Sequence, residues 1–383
     1  MSAQVLRVLF VFGTRPEAIR MAPLILAMER EKDRFEPRVC VTGQHRQMLD
    51  QVLNAFEITP EIDLAVMSHD QSLARLTARV LGALDEVLLR VKPDIVLVQG
   101  DTTTAAASAL AAFYRHIQVG HVEAGLRTGD LADPFPEEAN RILIDQLSSF
   151  CFAPTDYNRQ TLLKEGVKNE RIVVTGNTGI DALFIIRDRV VQKKAETWQT
   201  EFGSAISDIE DPGKKIVLIT LHRRESFGAK LRGVFEAISQ MAAKWTDVSF
   251  IYPVHLNPNV SEPADEVLAG ISNVHLIRPL PYEAFVFLMN RASLIVTDSG
   301  GIQEEAPSIG KPVIVVRERT ERQEALEGGY VKLAGTSGAT IVAMIDSSLK
   351  ESRQPHETAL NPYGDGQAAN RILKAILQHF GSR

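Results

Sequence analysis

The sequence predicts an α/β protein built from two doubly wound, Rossmann-like domains facing a cleft. Three observations carry that expectation. Short apolar, β-branched runs alternate with longer helical patterns along nearly all of the 383 residues. Strand–helix–strand repetition of this kind builds parallel sheets covered on both faces. A polar stretch at 192–214, containing Asp211-Pro-Gly and no strand pattern, separates one such series from a second. A chain of this length also exceeds what one hydrophobic core normally organises.

In the first series the expected strands are 7–12, 37–41, 95–99, 117–122, 150–153 and 172–175. Helical patterns fall between them at 16–30, 73–90, 103–114 and 156–165. The second series has strands at 216–220, 249–252, 274–277, 294–297 and 313–316. A last helical pattern, 367–380, follows Asn361-Pro-Tyr-Gly-Asp-Gly. We therefore expect a first domain over 1–178, a second over 179–365, and a terminal helix within 366–383 that packs back on the first. Open sheets of this type bind ligands beyond the carboxyl ends of their strands.

Composition narrows the function. With 45% hydrophobic and 23% charged residues the chain is neither disordered nor fibrous. A net charge of −6 argues against a nucleic-acid surface, so an anionic ligand must be met by local positive charge. Cys40 and Cys151 each lie in a strand-like run and read as core thiols of a reducing compartment. The apolar start at 5–12 is broken by Arg7 and stops at Gly13, which is too short for a signal peptide, and no run is long enough to span a bilayer. A cytoplasmic protein without membrane partners is expected. No C-x-x-C or H-E-x-x-H spacing is present, so no metal is expected.

The most informative segment is Asp298-Ser-Gly-Gly-Ile-Gln-Glu-Glu, directly after the apolar run 294–297. A strand that ends in Ser299, Gly300 and Gly301 and runs into a helix presents free N–H groups to a phosphate. Glu305, a turn further on, could bond a ribose hydroxyl. The spacing is not that of the dinucleotide fingerprint, and the residues also suit an ordinary turn capped by Asp298 or Ser299. In the first half, Gly13-Thr-Arg-Pro-Glu places Arg15 at a helix mouth, where a guanidinium suits a diphosphate. Asp101, Glu123 and Glu137 all stand at loop ends on the expected cleft side. Each alone suits a helix cap, but carboxylates brought together split their pKa values and supply an acid and a base. His222 and His255, with Arg223 and Arg224, follow strands of the second half and suit an anion site.

Taken together, Phe12-Gly-Thr-Arg-Pro-Glu-Ala-Ile, Gln99-Gly-Asp-Thr-Thr-Thr, His121-Val-Glu-Ala-Gly-Leu-Arg-Thr, His222-Arg-Arg-Glu, Tyr252-Pro-Val-His, Asp298-Ser-Gly-Gly-Ile-Gln-Glu-Glu and Asn361-Pro-Tyr-Gly-Asp-Gly resemble the non-hydrolysing UDP-N-acetylglucosamine 2-epimerases over essentially the whole chain. The resemblance implies the B-type glycosyltransferase fold and a cytoplasmic isomerase serving cell-surface polysaccharide synthesis, with no nicotinamide cofactor. It implies interconversion of UDP-N-acetylglucosamine and UDP-N-acetylmannosamine by anti elimination and re-addition of UDP, and a homodimer. By motif, Asp101, Glu123, Glu137 and His222 would form the catalytic group. Arg15, Arg20, His255, Ser299, Gly300, Gly301 and Glu305 would bind substrate, with His222 also near UDP. Gln44, Gln47 and Arg223, with His255, would match an allosteric substrate site, where some relatives carry a basic residue in place of Asp70. Family members often have Lys where this chain has Arg20, which keeps the charge and changes its geometry.

Overall fold

A computed structural model describes residues 5–43, 46–67, 71–320, 322–327, 329–351 and 361–381. The first sheet consists of β1 (Leu6–Phe12), β2 (Phe35–Val41), β3 (Ile62–Asp63), β4 (Ile95–Gln99), β5 (Gln118–Val122), β6 (Phe150–Ala153) and β7 (Ile172–Val174). All pairs are parallel, in the order β3-β2-β1-β4-β5-β6-β7. Val8 to Phe12 and Ile95 to Val98 are fully buried, because helices cover both faces. The order reverses between β1 and β4, the place where such sheets open a ligand crevice.

The second sheet consists of β8 (Lys215–Thr220), β9 (Val248–Pro253), β10 (Val274–Ile277), β11 (Leu294–Thr297), β12 (Val313–Val315) and β13 (Val331–Leu333). Its order, β10-β9-β8-β11-β12-β13, is again all parallel and reverses between β8 and β11. The two doubly wound units are the pair of Rossmann-like domains of the B-type glycosyltransferase fold, as expected from the sequence. By compactness the chain divides into Met1–Ala182 with Tyr363–Arg383, and Leu183–Pro362. The terminal helix Ala368–Gly381 lies against the helix Arg15–Glu29 of the first unit.

The helix Thr103–Tyr114 carries six buried alanines, at 105, 106, 107, 109, 111 and 112. Small side chains let the helices Leu73–Val91 and Glu137–Leu147 pack closely on either side of it. That fixes Glu137–Leu147 with Glu138, Arg141 and Asp145 turned inward.

The polar segment 192–214, expected from its composition to be a surface connection without regular structure, differs from that expectation. It forms the helical turns Ala195–Trp198, Gln199–Phe202, Gly203–Ala205 and Ile206–Glu210. Trp198, Phe202, Ala205 and Ile209 are buried, and the rings of Trp198 and Phe202 both lie 6.1 Å from that of Phe287. Their spacing of four, three and four is a helical stripe diluted by polar neighbours.

Candidate active site

At the carboxyl edge of the first sheet, Gln99 of β4 pairs with Val122 of β5, so Asp101 and Glu123 leave adjacent strand ends. Glu123 has a left-handed backbone, φ 72°, which a non-glycine residue adopts only when its surroundings hold it there. Its Oε2 accepts a hydrogen bond from Nε2 of Gln99. Its Oε1 accepts from Nδ2 of Asn177 at 3.4 Å and lies 3.5 Å from Nε of Arg20. Both members of the Arg20–Glu123 pair are nearly enclosed, at 13% and 11% side-chain exposure, so the attraction is only partly screened by solvent.

Asp101 is held from the helix Glu137–Leu147. Nε and Nη2 of Arg141 lie 2.8 and 2.6 Å from Asp101 Oδ2, and Asn140 Nδ2 donates to the Asp101 carbonyl at 2.8 Å. Arg141 is itself anchored by Glu138 at 2.9 Å, and Glu138 also accepts from the backbone of Thr128 and Gly129. Burial works against the Glu138 charge, but these donors outweigh it and hold its pKa low. Glu137, one residue earlier, is half-buried at the first position of the helix.

Two further networks fix these loops. Glu17 accepts from Gly13 N, Thr14 N and Thr14 Oγ1 at 3.0, 2.7 and 2.7 Å, and from Thr102 Oγ1 at 2.6 Å. It thereby ties the turn before Arg15 to the turn after Asp101. Burial is the largest influence on Glu17 and raises its pKa despite the donors. The ring of His121, fully buried, contacts Asp145 Oδ1 through Nδ1 at 2.6 Å and the Gly100 carbonyl through Nε2 at 2.7 Å. Asp145 also accepts from Gly125 N and Arg127. Burial opposes its charge, but His121 and Arg127 outweigh that and keep its pKa lowered. Arg15, half-buried, is the first residue of its helix.

At the carboxyl edge of the second sheet, Asp298 is buried and its Oδ2 accepts the backbone N–H groups of His222 and Arg223 at 2.9 and 2.8 Å. Its Oδ1 lies 3.3 Å from Nδ1 of His222. The rings of His222 and His255 stack at 5.9 Å, although they stand 33 positions apart in sequence. Partial desolvation is the largest influence on His222 and lowers its pKa. Asp298 opposes the shift, while Arg223 and His255 reinforce it. Ser299 stands at the N-cap position of the helix Gly300–Ser308 without a side-chain capping bond, and its N–H donates to Thr297 Oγ1 at 2.9 Å. A side chain at Gly300 would meet the Arg322 guanidinium at 3.0 Å, and buried Arg322 is pinned to Glu304 at 2.8 Å. Gly301 and Glu305 lie half-buried in the first two turns.

Arg15, Arg20, Asp101, Glu123 and Glu137 thus belong to the first edge. His222, Arg223, His255, Ser299, Gly300, Gly301 and Glu305 belong to the second. Gln44 and Asp70 lie outside the described residues, as does the side chain of Gln47. Sequence reasoning missed Gln99, Asn177, Arg141, Glu138 and Glu17 as supports. Only Glu17 had a local signal, the Thr-x-x-Glu capping spacing from Thr14. Among the described residues no cluster of three or more His, Cys, Asp or Glu is placed to hold a metal, and no helix is long and apolar enough to cross a membrane.

Comparison with known proteins shows the family. The family profile described as UDP-N-acetylglucosamine 2-epimerase matches residues 27–377. The UDP-N-acetylglucosamine 2-epimerase of Salmonella typhimurium is 54% identical over 373 residues, covering 97% of this chain and 98% of its own. The crystal structure of the Neisseria meningitidis UDP-GlcNAc 2-epimerase bound to UDP-GlcNAc superposes with a TM-score of 0.89 at 45% identity, covering 97% of this chain and 100% of the other. The Methanocaldococcus jannaschii UDP-GlcNAc 2-epimerase, in complex with UDP-GlcNAc and UDP, gives 0.80 at 32% identity, covering 98% and 100%. Sequence, fold and coverage agree along the whole length, and the chain belongs to the UDP-N-acetylglucosamine 2-epimerase family of isomerases.

Proposed function

We propose that this chain interconverts UDP-N-acetylglucosamine and UDP-N-acetylmannosamine without net hydrolysis, by elimination and re-addition of UDP. The observation that carries the reading is the pair of anchored carboxylates, Asp101 and Glu123, on adjacent strand ends. The hydrogen on C2 of the sugar is not acidic, because C1 carries UDP and is not a carbonyl. Removal of that proton therefore goes with cleavage of the C1–O bond. The C2–H electrons form the C1–C2 double bond of a 2-acetamidoglucal, and UDP leaves with the C1–O pair. In the return step a UDP oxygen attacks C1 and C2 is protonated from the opposite face.

Such a route needs carboxylates for both proton transfers and a site that stabilises the departing diphosphate. Asp101, Glu123 and Glu137 supply the first. On the second unit Ser299, Gly300 and Gly301 at a helix start, with His222, supply the second, and Glu305 suits the ribose. The UDP-GlcNAc bound to the Neisseria relative supports the choice of substrate.

The test is incubation with UDP-N-acetylglucosamine in heavy water, with no added NAD. The expected result is UDP-N-acetylmannosamine, with deuterium at C2 of both nucleotide sugars. Retention of the C2 proton in the product would exclude elimination. Transfer of the sugar to an acceptor in place of epimerisation would exclude the activity itself.

A further inference from the structure

Asn177 sits in the turn after β7 and is 3% exposed. Its Nδ2 donates to Oε1 of Glu123 at 3.4 Å, and its Oδ1 accepts from Gly179 N at 2.8 Å. Its backbone N–H donates to the carbonyl of Tyr363 at 2.6 Å. Tyr363 is the residue at which the chain re-enters the first unit after completing the second. The returning segment is fastened on both sides of Asn177. Arg371 donates to the Thr175 carbonyl at 3.0 Å, and Asp181 accepts from the N–H groups of Ala368 and Ala369 at 3.2 and 2.9 Å.

Gly364 closes the contact. With φ at 135°, a Cβ there would lie 3.4 Å from the Gly176 Cα and 3.5 Å from the Asn177 nitrogen. The backbone of Asn177 is therefore placed by the returning chain, while its side chain bonds one carboxylate oxygen of Glu123. Gln99 holds the other oxygen. At 3.4 Å the bond is already stretched past the usual limit of about 3.2 Å, so a small displacement of Asn177 breaks it.

We propose that Asn177 is a positioning residue that couples the orientation of the Glu123 carboxylate to the docking of the returning segment 363–369. The proposal rests on assigning Glu123 to proton transfer at C2. It makes a distant glycine matter to turnover through one amide.

Steady-state kinetics on the full chain test it, using Asn177→Ala, Asn177→Asp, Gly364→Ala, the Asn177→Ala/Gly364→Ala double variant, and Glu123→Gln alongside. Loss of a hydrogen bond to a charged group predicts a fall in kcat of about tenfold for Asn177→Ala. KM for UDP-N-acetylglucosamine should stay within about twofold, the pattern of an interaction needed only for the chemical step. Gly364→Ala touches no carboxylate yet should lower kcat similarly. The double variant should lose no more than the worse single, because both act through one contact. Asn177→Asp sets a second carboxylate against Glu123, which favours the protonated form, so the acidic limb of the kcat–pH profile should move to higher pH.

Normal kcat in Asn177→Ala, additive losses in the double variant, or an unmoved acidic limb in Asn177→Asp would each overturn the coupling. If Gly364→Ala yields no soluble protein, Arg371→Ala, which frees the returning chain from the Thr175 carbonyl, takes its place in the same single and double comparison with Asn177→Ala. Full turnover in Glu123→Gln would instead remove the assignment of Glu123 on which the coupling rests.

Discussion

Glu137 and Glu138 are neighbours on one helix, yet their surroundings differ. Glu138 is 1% exposed and its carboxylate is taken up by Thr128 N, Gly129 N and Arg141. Glu137 is half-buried and, among the described residues, bonds to none of these groups. A carboxylate already committed to buried donors is structural, and an uncommitted one is available to a substrate. Pro136-Glu-Glu announces a helix start in the sequence, but which glutamate turns inward depends on how the helix packs on the alanine-rich helix 103–114. Local sequence does not encode that. Asp101, Glu123 and the His222–His255 pair were legible because strand ends announce themselves. Their supports Gln99, Asn177 and Arg141 were not, since each is brought in from another element. Glu137→Gln should cut kcat by about 10²–10⁴ while leaving the unfolding midpoint nearly unchanged. Glu138→Gln should instead destabilise by about 1.5–3 kcal/mol, the loss of a buried charge-assisted bond, with Asp101 left as the counter-ion of Arg141. Kinetics and urea unfolding on both variants check the contrast, and a stable, inactive Glu138→Gln would reverse the two roles.

Elements were readable wherever a pattern ran long enough. β1, β4 and β11 stand out as continuous apolar runs, whereas β3 and β13 are edge strands of two and three residues with too few positions to show any period. The stripe of Trp198, Phe202, Ala205 and Ile209 was hidden by the polar residues around it. The Asp298-Ser-Gly-Gly turn was plain, but the Arg322 that backs Gly300 comes from a separate loop. Asp181 is another long-range support, capping the terminal helix Ala368–Gly381 through Ala368 and Ala369. Burial, the largest influence, raises its pKa from 3.8 to about 6 against the pull of those N–H groups, and Asp365 adds to the rise. The sign follows from linkage. Below about pH 4 the group is protonated in both folded and unfolded chains, so burial of its charge costs nothing. As pH rises towards 6 the unfolded chain releases the proton first and stability falls. Above the folded value the loss is complete, at about 3 kcal/mol from 1.36 kcal/mol per pH unit. Asp181→Asn removes that titration. The stability difference, parent minus variant, should therefore decline by about this amount between pH 3.5 and 7. Urea unfolding at fixed pH values measures it, and a flat difference would show that Asp181 stays ionised in the fold.

At the scale of the whole chain, strand–helix alternation was enough to give two parallel sheets, because parallel strands need crossovers and the helices between them supply both covering layers. Strand order depends on contacts across many residues, which no local window contains. The division into units has a useful chemical consequence. Both tryptophans, Trp198 and Trp245, belong to the second unit, and both cysteines, Cys40 and Cys151, belong to the first. Each cysteine is fully buried, and desolvation raises both thiols, Cys40 to about 12, so neither reacts while the first unit is folded. Tryptophan emission therefore reports unfolding of one unit and thiol labelling reports the other, in the unmodified protein. A ligand that binds only the native state stabilises it by about 2.7 kcal/mol at a hundred times its Kd. If Ser299, Gly300 and Glu305 hold the nucleotide, UDP at a hundred times its Kd should raise the unfolding free energy read from tryptophan emission by that amount and move its transition to higher denaturant. Thiol labelling should shift as far only if the two units unfold as one cooperative whole. Following both signals across one urea series, with and without UDP, separates the cases. A UDP-dependent shift in thiol labelling with an unmoved tryptophan transition would place the nucleotide on the first unit and overturn the assignment to the glycine turn.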